Sequence, residues 1–231
     1  MHVVDTVEKA GRDLLAGKLS RRADGIVGAN QQGRVVRRLF SDLDPGRHEH
    51  EIETVATRSR VEGQIFNIDG LNQPSEGMGK VPRLDQLPSR EEAIRIALLY
   101  PAGLEAGSFV KSDTPFTPDA FRLENGNLMA GPGCTFAEGC QNIKTQPLNN
   151  PNRGKVDTRV VGVDERLGIV WLRMEWGTRN NMKLAVWEAF KIYDGGIHVV
   201  EAFMKTIPPG LGSGWPSTSQ PVAVTADRPR R

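Results

Sequence analysis

Residues 184–206 read LAVWEAFKIYDGGIHVVEAFMKT, and this stretch decides the fold. Two runs rich in β-branched and aromatic residues, Leu184 to Tyr193 and Ile197 to Thr206, flank Asp194-Gly195-Gly196. Asp-Gly at such a junction is a hairpin signal, because the tight turns that match strand twist need positive φ at their centre. Upstream, Arg159 to Val163 and Gly168 to Trp176 form two further runs, joined by the turn-forming Asp164-Glu165-Arg166-Leu167. Pro208, Pro209 and Gly210 end the last strand. Consecutive hairpin-linked strands after a helix predict an α+β domain with an antiparallel sheet, not a doubly wound parallel one.

The helix before these strands opens at Ser89. Ser89-Arg90-Glu91-Glu92 has the form of a capping box, the Ser hydroxyl accepting the N3 amide and Glu92 reaching back. Ile94, Ala97 and Leu98 supply an apolar stripe. Pro101 lacks an amide and restricts Tyr100, so a disturbance is expected there before the helix ends near Gly107. Residues 85–215 are thus expected to form one domain with a small-molecule pocket, and 216–231, rich in Ser, Thr, Pro and Arg, a disordered tail. Ahead of the domain, a helix over Asp5 to Leu19 and strands over 33–40, 49–60 and 64–68 are expected, residues 1–84 packing on the same domain. The Pro/Gly-rich connection from Leu71 to Pro88 is long enough to wrap a surface or line a site.

Composition narrows the function classes. The 231 residues carry 30 basic and 28 acidic side chains, well mixed, and no cluster larger than Arg34 to Arg38 offers a nucleic-acid footprint. No apolar run approaches membrane-spanning length, and the N-terminus does not read as a signal peptide, so a cytoplasmic address is expected. Two cysteines, Cys134 and Cys140, are too few for a disulfide framework; a single bridge is possible, but reduced thiols are expected. His48 and His50 flank Glu49 without supporting cysteines, so no metal is expected. Neither a phosphate loop nor a nucleophile elbow is found, and no cofactor is expected.

The order of helix, irregular segment and long strands with an Asp-Gly hairpin resembles the NTF2-like superfamily, also called SnoaL-like or ketosteroid-isomerase-like. A subgroup pattern Asp-x-x-Arg-x-Glu-Asn-Gly is matched by Asp119-Ala120-Phe121-Arg122-Leu123-Glu124-Asn125-Gly126. Its Val-Asp-Glu-x-x-Gly-x-Val is matched from Val163 to Val170, its Gly-Cys pair by Gly139-Cys140, and its closing Gly-Ser-Gly-Trp by Gly212 to Trp215. Where an Asp-His pair would be expected after the Gly168 strand, this chain has Glu175-Trp176-Gly177. The resemblance implies a cone, a sheet wrapped around helices with an apolar cavity, and a tendency to form homodimers or larger homo-oligomers. Such folds host isomerases, dehydratases, cyclases, lyases and binding modules, so the fold alone does not choose. The specific family favoured by resemblance is the lignin-dimer γ-formaldehyde lyases. They would release formaldehyde from a diarylpropane diol to leave a stilbene, without a cofactor.

The residues themselves supply the candidates for acid/base chemistry on a small, hydrophobic aromatic substrate. Arg122 and Glu124 share one side of an extended segment, fit either for holding an oxyanion and acting as base or for a buried pair that locks the segment. Asp119 just upstream either caps a turn or serves as the base. Glu188 alternates with Val186 and Phe190, which puts a carboxylate on an apolar face where it needs a partner or a function. Tyr100 could donate to a substrate oxygen or pack with its hydroxyl satisfied. His198 could relay protons or be structural. Trp187, Phe121, Lys191 and Tyr193 are candidates for substrate contact, Lys191 and Tyr193 by way of a bulge. Arg173 and Glu175 alternate with Leu172 and Met174 and are expected toward solvent or a partner subunit, or in the pocket.

Overall fold

The computed structural model describes residues 35–36, 54–55, 67, 75–148, 154–178 and 181–210. The expected helix over Asp5 to Leu19, most of the strands at 33–40, 49–60 and 64–68, His48, His50, Gly212 to Trp215 and the tail lie outside the described residues. The chain divides into two compact units, Met1–Arg58 and Ser59–Arg231. In the first, β1 (Val35–Val36) pairs antiparallel with β2 (Thr54–Val55), Val35 opposite Val55.

The second unit opens with a 3-10 turn at Leu84–Gln86 and helix α1 (Arg90–Ala106). The Ser89 side chain accepts from the Glu92 amide, as its position predicts, but the Glu92 carboxylate pairs with Arg95 at 2.7 Å. Pro101 is accommodated inside the helix, which runs on until Gly107 caps it at φ 66. Its buried stripe is Ala93, Ile96, Ala97, Tyr100 and Leu104, while Leu98 is exposed. The expected stripe of Ile94, Ala97 and Leu98 is therefore turned. The segment from Ala93 to Leu99 is apolar nearly all round, so periodicity alone does not select a face.

Six strands follow: β3 (Phe116–Glu124), β4 (Asn127–Ala130), β5 (Asp157–Asp164), β6 (Ile169–Gly177), β7 (Lys183–Tyr193) and β8 (Gly196–Ile207). They form one sheet in the order β4-β3-β8-β7-β6-β5. Each pair is antiparallel except β3 with β8, which run parallel, Arg122 opposite Val200 and Glu124 opposite Ala202. The expectation of a purely antiparallel sheet is corrected accordingly. A strand's alternation encodes which face is buried, not which distant strand it pairs with. Asn125, at φ 49 in the turn after β3, secures this parallel seam. Its side chain accepts from the Met204 amide at 2.9 Å and donates to the Met204 carbonyl at 3.1 Å.

Helix α1 packs on one face of the sheet. The core there joins Ile96, Tyr100 and Leu104 to Val170, Leu172, Met174, Val186, Phe190, Val200 and Ala202. Tyr100 stacks on Phe109 at 4.8 Å and meets Phe190 edge-on at 5.0 Å. The opposite face carries a smaller cluster, Met78, Ala189 and Val199 with Phe121 and Ile169.

Between β4 and β5 the chain has no periodicity, and there Cys134 and Cys140 are joined in a disulfide. The expectation of reduced thiols is corrected. Counting cysteines carries no information on distance, whereas Gly131, Gly133 and Gly139 at positive φ fold this loop back on itself. The Gly131 amide donates to the Cys140 carbonyl and the Cys134 amide to that of Gly131, bringing the two Cα atoms to 5.8 Å. Closing a loop this short is expected to stabilise by about 2 kcal/mol. Cys134→Ser/Cys140→Ser should lower the urea unfolding free energy by that order, and an unchanged value would argue against the bridge.

Candidate functional site

A cavity of about 220 Å³ opens on the helix side of the sheet. Four elements supply its polar groups: Tyr100 from α1, Arg122 and Glu124 from β3, Glu188 from β7, and Gln146 from the loop after β4. Its apolar wall comes from Leu104, Met129, Leu148, Trp176, Leu184 and Met204, with Phe136, Ala137, Glu138 and Cys140 of the disulfide loop along one side. Strand alternation explains the convergence. Arg122 and Glu124 fall on the same face of β3 as Ala120, and Glu188 on the face of β7 that carries Val186 and Phe190.

Arg122 is the hub. It is only 8% exposed, and its Nε lies 2.8 Å from Glu124 Oε1. That contact is an ion pair by distance, but the Nε–H does not point at the oxygen and has no hydrogen-bond acceptor among the described residues. Nη1 donates to Tyr100 Oη at 3.1 Å, and Nη2 to Gln146 Oε1 at 3.3 Å. Burial works against the guanidinium's charge. The neighbouring Tyr100, Glu124 and Glu188 outweigh it and hold Arg122 protonated beyond its ordinary range. Burial also pushes the Tyr100 phenol well above its usual value; Arg122 opposes this and the Glu188 and Glu124 carboxylates reinforce it. The phenol is therefore neutral at physiological pH. It accepts from Arg122, which leaves its own proton as a donor. Glu188 is 2% exposed and interacts electrostatically with both Tyr100 and Arg122.

Of the sequence-predicted site residues, the structure brings together Tyr100, Arg122, Glu124 and Glu188. The other six are not among the cavity's lining residues. Phe121 packs with Met78, Ala189 and Val199 on the far face. Trp187 lies under Arg173, whose Cζ is 4.2 Å from the indole ring. Arg173 and Glu175 are buried at 3% and 7%, paired at 2.7 Å, with Lys183 3.4 Å from the same carboxylate. They are thus neither solvated nor in the cavity.

Lys191 is fully buried and donates to the carbonyls of Met78, Lys80 and Leu167, at 3.3 Å to the first and 2.6 Å to the last. Burial lowers its proton affinity, Asp164 raising it and Lys80 lowering it further. A register shift does occur between Lys191 and Ile192, but it does not carry Lys191 into the cavity. Tyr193 accepts from Lys80 Nζ at 3.0 Å and stacks flat on His198, ring centroids 3.5 Å apart. Asp119 is exposed, and a hydrogen bond from Thr117 holds its carboxyl below the usual range.

His198 Nε2 lies 3.1 Å from the Tyr193 carbonyl. Burial lowers its imidazole below the ordinary value, against the raising influence of the Tyr193 carbonyl and Asp119. The unfolded chain then binds more protons than the folded one just below the free-histidine value of about 6.5. The stability contribution of His198 is whole above that pH and is lost as pH falls through the window. Between about pH 7.5 and about pH 5.5, the wild type should lose more stability in urea than His198→Gln. An equal loss in the two proteins would contradict this.

Sequence reasoning missed Gln146 and the apolar residues of the 129–148 loop. Gln146 is 9% exposed, and its Nε2 has no acceptor among the described residues. Nothing in a non-periodic loop flags such a side chain. Among the described residues no group of three or more His, Cys, Asp or Glu is placed to hold a metal ion, and no helix is long and apolar enough to cross a membrane.

No curated protein matches the chain. Among solved structures, it is similar to a protein of unknown function with a cystatin-like fold from Methylobium petroleophilum PM1. That match has 15% identity and a TM-score of 0.41 over 63% of this chain and 99% of the other. A second is an LEH-like epoxide hydrolase of M. tuberculosis, 14% identical with a TM-score of 0.33 over 51% of this chain and 86% of that one. A third is an NTF-2 like protein of unknown function from Burkholderia xenovorans LB400, 16% identical with a TM-score of 0.36 over 57% and 94%. At TM-scores below 0.5 these likenesses say nothing of this chain's chemistry. The family model described as a domain of unknown function, DUF8021, matches residues 86–204, just over half of the chain, and the chain belongs to that family.

Proposed function

We propose that the second unit is an NTF2-like enzyme, a cofactor-independent lyase working by general acid/base catalysis on a hydroxylated aromatic small molecule. The observation that carries this reading is the convergence of Glu188, Glu124, Arg122 and Tyr100 in one partly apolar cavity. A carboxylate among apolar side chains beside a neutral phenol is an acid/base pair whose protonation states differ at one pH. Glu188 is taken as the base, because it is the more deeply buried of the two carboxylates, at 2% exposure on an otherwise apolar strand face.

The finest form of the reading takes a lignin-derived 1,2-diarylpropane-1,3-diol as substrate. Glu188 removes the γ-hydroxyl proton, and the Cβ–Cγ bond breaks to release formaldehyde. The electron pair forms the stilbene double bond as the benzylic hydroxyl departs, and Tyr100 protonates it to water. Arg122, donating to the phenol oxygen, offsets the charge left on Tyr100, and the proton on Glu188 returns to it. At about 220 Å³ the cavity falls below the roughly 300–1,000 Å³ usual for drug-sized ligands. That size supports enclosure of one ring and its hydroxymethyl end, with the second ring toward exposed Phe136.

The test is incubation of the full chain with such a diol, following stilbene absorbance and formaldehyde. Turnover is expected, reduced about 10²-fold or more in Glu188→Gln. No turnover, or an unaffected variant, would sink the proposal. Loss of water without formaldehyde would instead identify a dehydratase using the same groups.

A further inference from the structure

We infer that the cavity is built to take an uncharged hydroxylated ligand and to refuse its carboxylate counterpart, and that Glu124 is the residue that sets this specificity. This deepens the proposed function and rests on its choice of the cavity as the binding site. A buried arginine is the usual anchor for a carboxylate or phosphate, because its planar fork offers paired donors to paired oxygens. Here the guanidinium already donates through both Nη atoms, and its charge is offset by Glu124. Glu124 lies against Nε at 2.8 Å, Tyr100 Oη takes Nη1 and Gln146 Oε1 takes Nη2. Arg122 is also the one cation among the described lining residues, beside the carboxylates of Glu124, Glu138 and Glu188.

An anion entering this cavity would meet an Arg122 charge already offset by Glu124, and it would face the buried carboxylate of Glu188 and the part-buried one of Glu124 in a medium where like charges repel strongly. A neutral hydroxyl meets no such barrier. It can donate to a carboxylate or accept from the Tyr100 phenol, while its ring rests on Leu104, Trp176 and Met204. Arg122 therefore serves as an internal counter-ion, and Glu124 keeps it from receiving an anion.

The consequence is a gain of binding. Glu124→Gln keeps the size of the side chain but removes the carboxylate charge that lies against Arg122. The probes are 4-hydroxybenzyl alcohol and 4-hydroxybenzoate, matched in size and differing in charge, titrated calorimetrically into the full chain near neutral pH. The wild type is expected to bind the alcohol at least about ten-fold more tightly than the acid. Glu124→Gln is expected to tighten binding of the acid by about ten-fold or more, with the alcohol changed far less. A gain of this kind does not arise from misfolding.

Equal or tighter binding of the acid by the wild type would overturn the inference. So would an unchanged affinity for the acid in Glu124→Gln, or no binding of the alcohol. Selectivity without any lyase turnover would remove the proposed reaction and leave this inference standing. Turnover of the diol with no discrimination between alcohol and acid would do the reverse.

Discussion

Arg122→Met is expected to destabilise the second unit by about 3–5 kcal/mol, the usual cost of removing one partner from a buried charge cluster. Methionine fills much of the same space, so little of the loss comes from an empty volume. It comes from Glu124 and Glu188, whose carboxylates remain in the cavity without the guanidinium that now offsets them. Tyr100 Oη and Gln146 Oε1 lose their donor as well. If this account is right, neutralising the orphaned charge should recover part of the loss. Arg122→Met/Glu124→Gln should therefore be more stable in urea than Arg122→Met alone. A single variant within about 1 kcal/mol of wild type would show that the cluster is not electrostatically coupled.

Lys191→Met should cost about 3 kcal/mol, a large effect for a residue far from the cavity. An ammonium with no exposed surface is tolerated here because three backbone carbonyls, of Met78, Lys80 and Leu167, receive its three protons. Methionine fits the space but leaves those oxygens without the ammonium protons they now accept. Two of them belong to the segment that crosses the far face of the sheet, where Met78 packs on Ala189 and Val199. Loss of stability should therefore be accompanied by faster amide exchange in residues 77–81, with binding in the cavity retained. Equal protection of that segment in variant and wild type would contradict the role of Lys191 as its anchor.

The parts of this fold that were legible in the sequence are those governed by local chemistry. Ser89 announces the start of α1, Gly107 its end, and Asp194-Gly195 the hairpin between β7 and β8. Alternation also found the cavity residues with least local support, since Glu188 stands out as the polar member of an apolar face. The same alternation explains why other candidates landed elsewhere. Trp187, Lys191 and Tyr193 have the opposite parity from Glu188, and Phe121 the opposite parity from Arg122 and Glu124.

What was not legible depends on long-range closure. The parallel pairing of β3 with β8 brings Arg122 beside the β7–β8 hairpin, and no local pattern encodes it. The loop that contributes Gln146 and Phe136 has no periodicity, and its disulfide follows from glycine turns that bring Cys134 and Cys140 together. Pro101, read as a disturbance, is absorbed because tertiary packing on both sides of it holds the helix.

The proposed function makes the cavity between α1 and the sheet the small-molecule site of this protein. Its most direct test is a crystal structure of the full chain with 4-hydroxybenzyl alcohol at saturating concentration. The ring is expected against Leu104 and Trp176, with its hydroxymethyl oxygen within hydrogen-bond distance of Glu188 or Tyr100. A ligand bound instead beside Tyr193 and His198, or a cavity left without ligand, would contradict it.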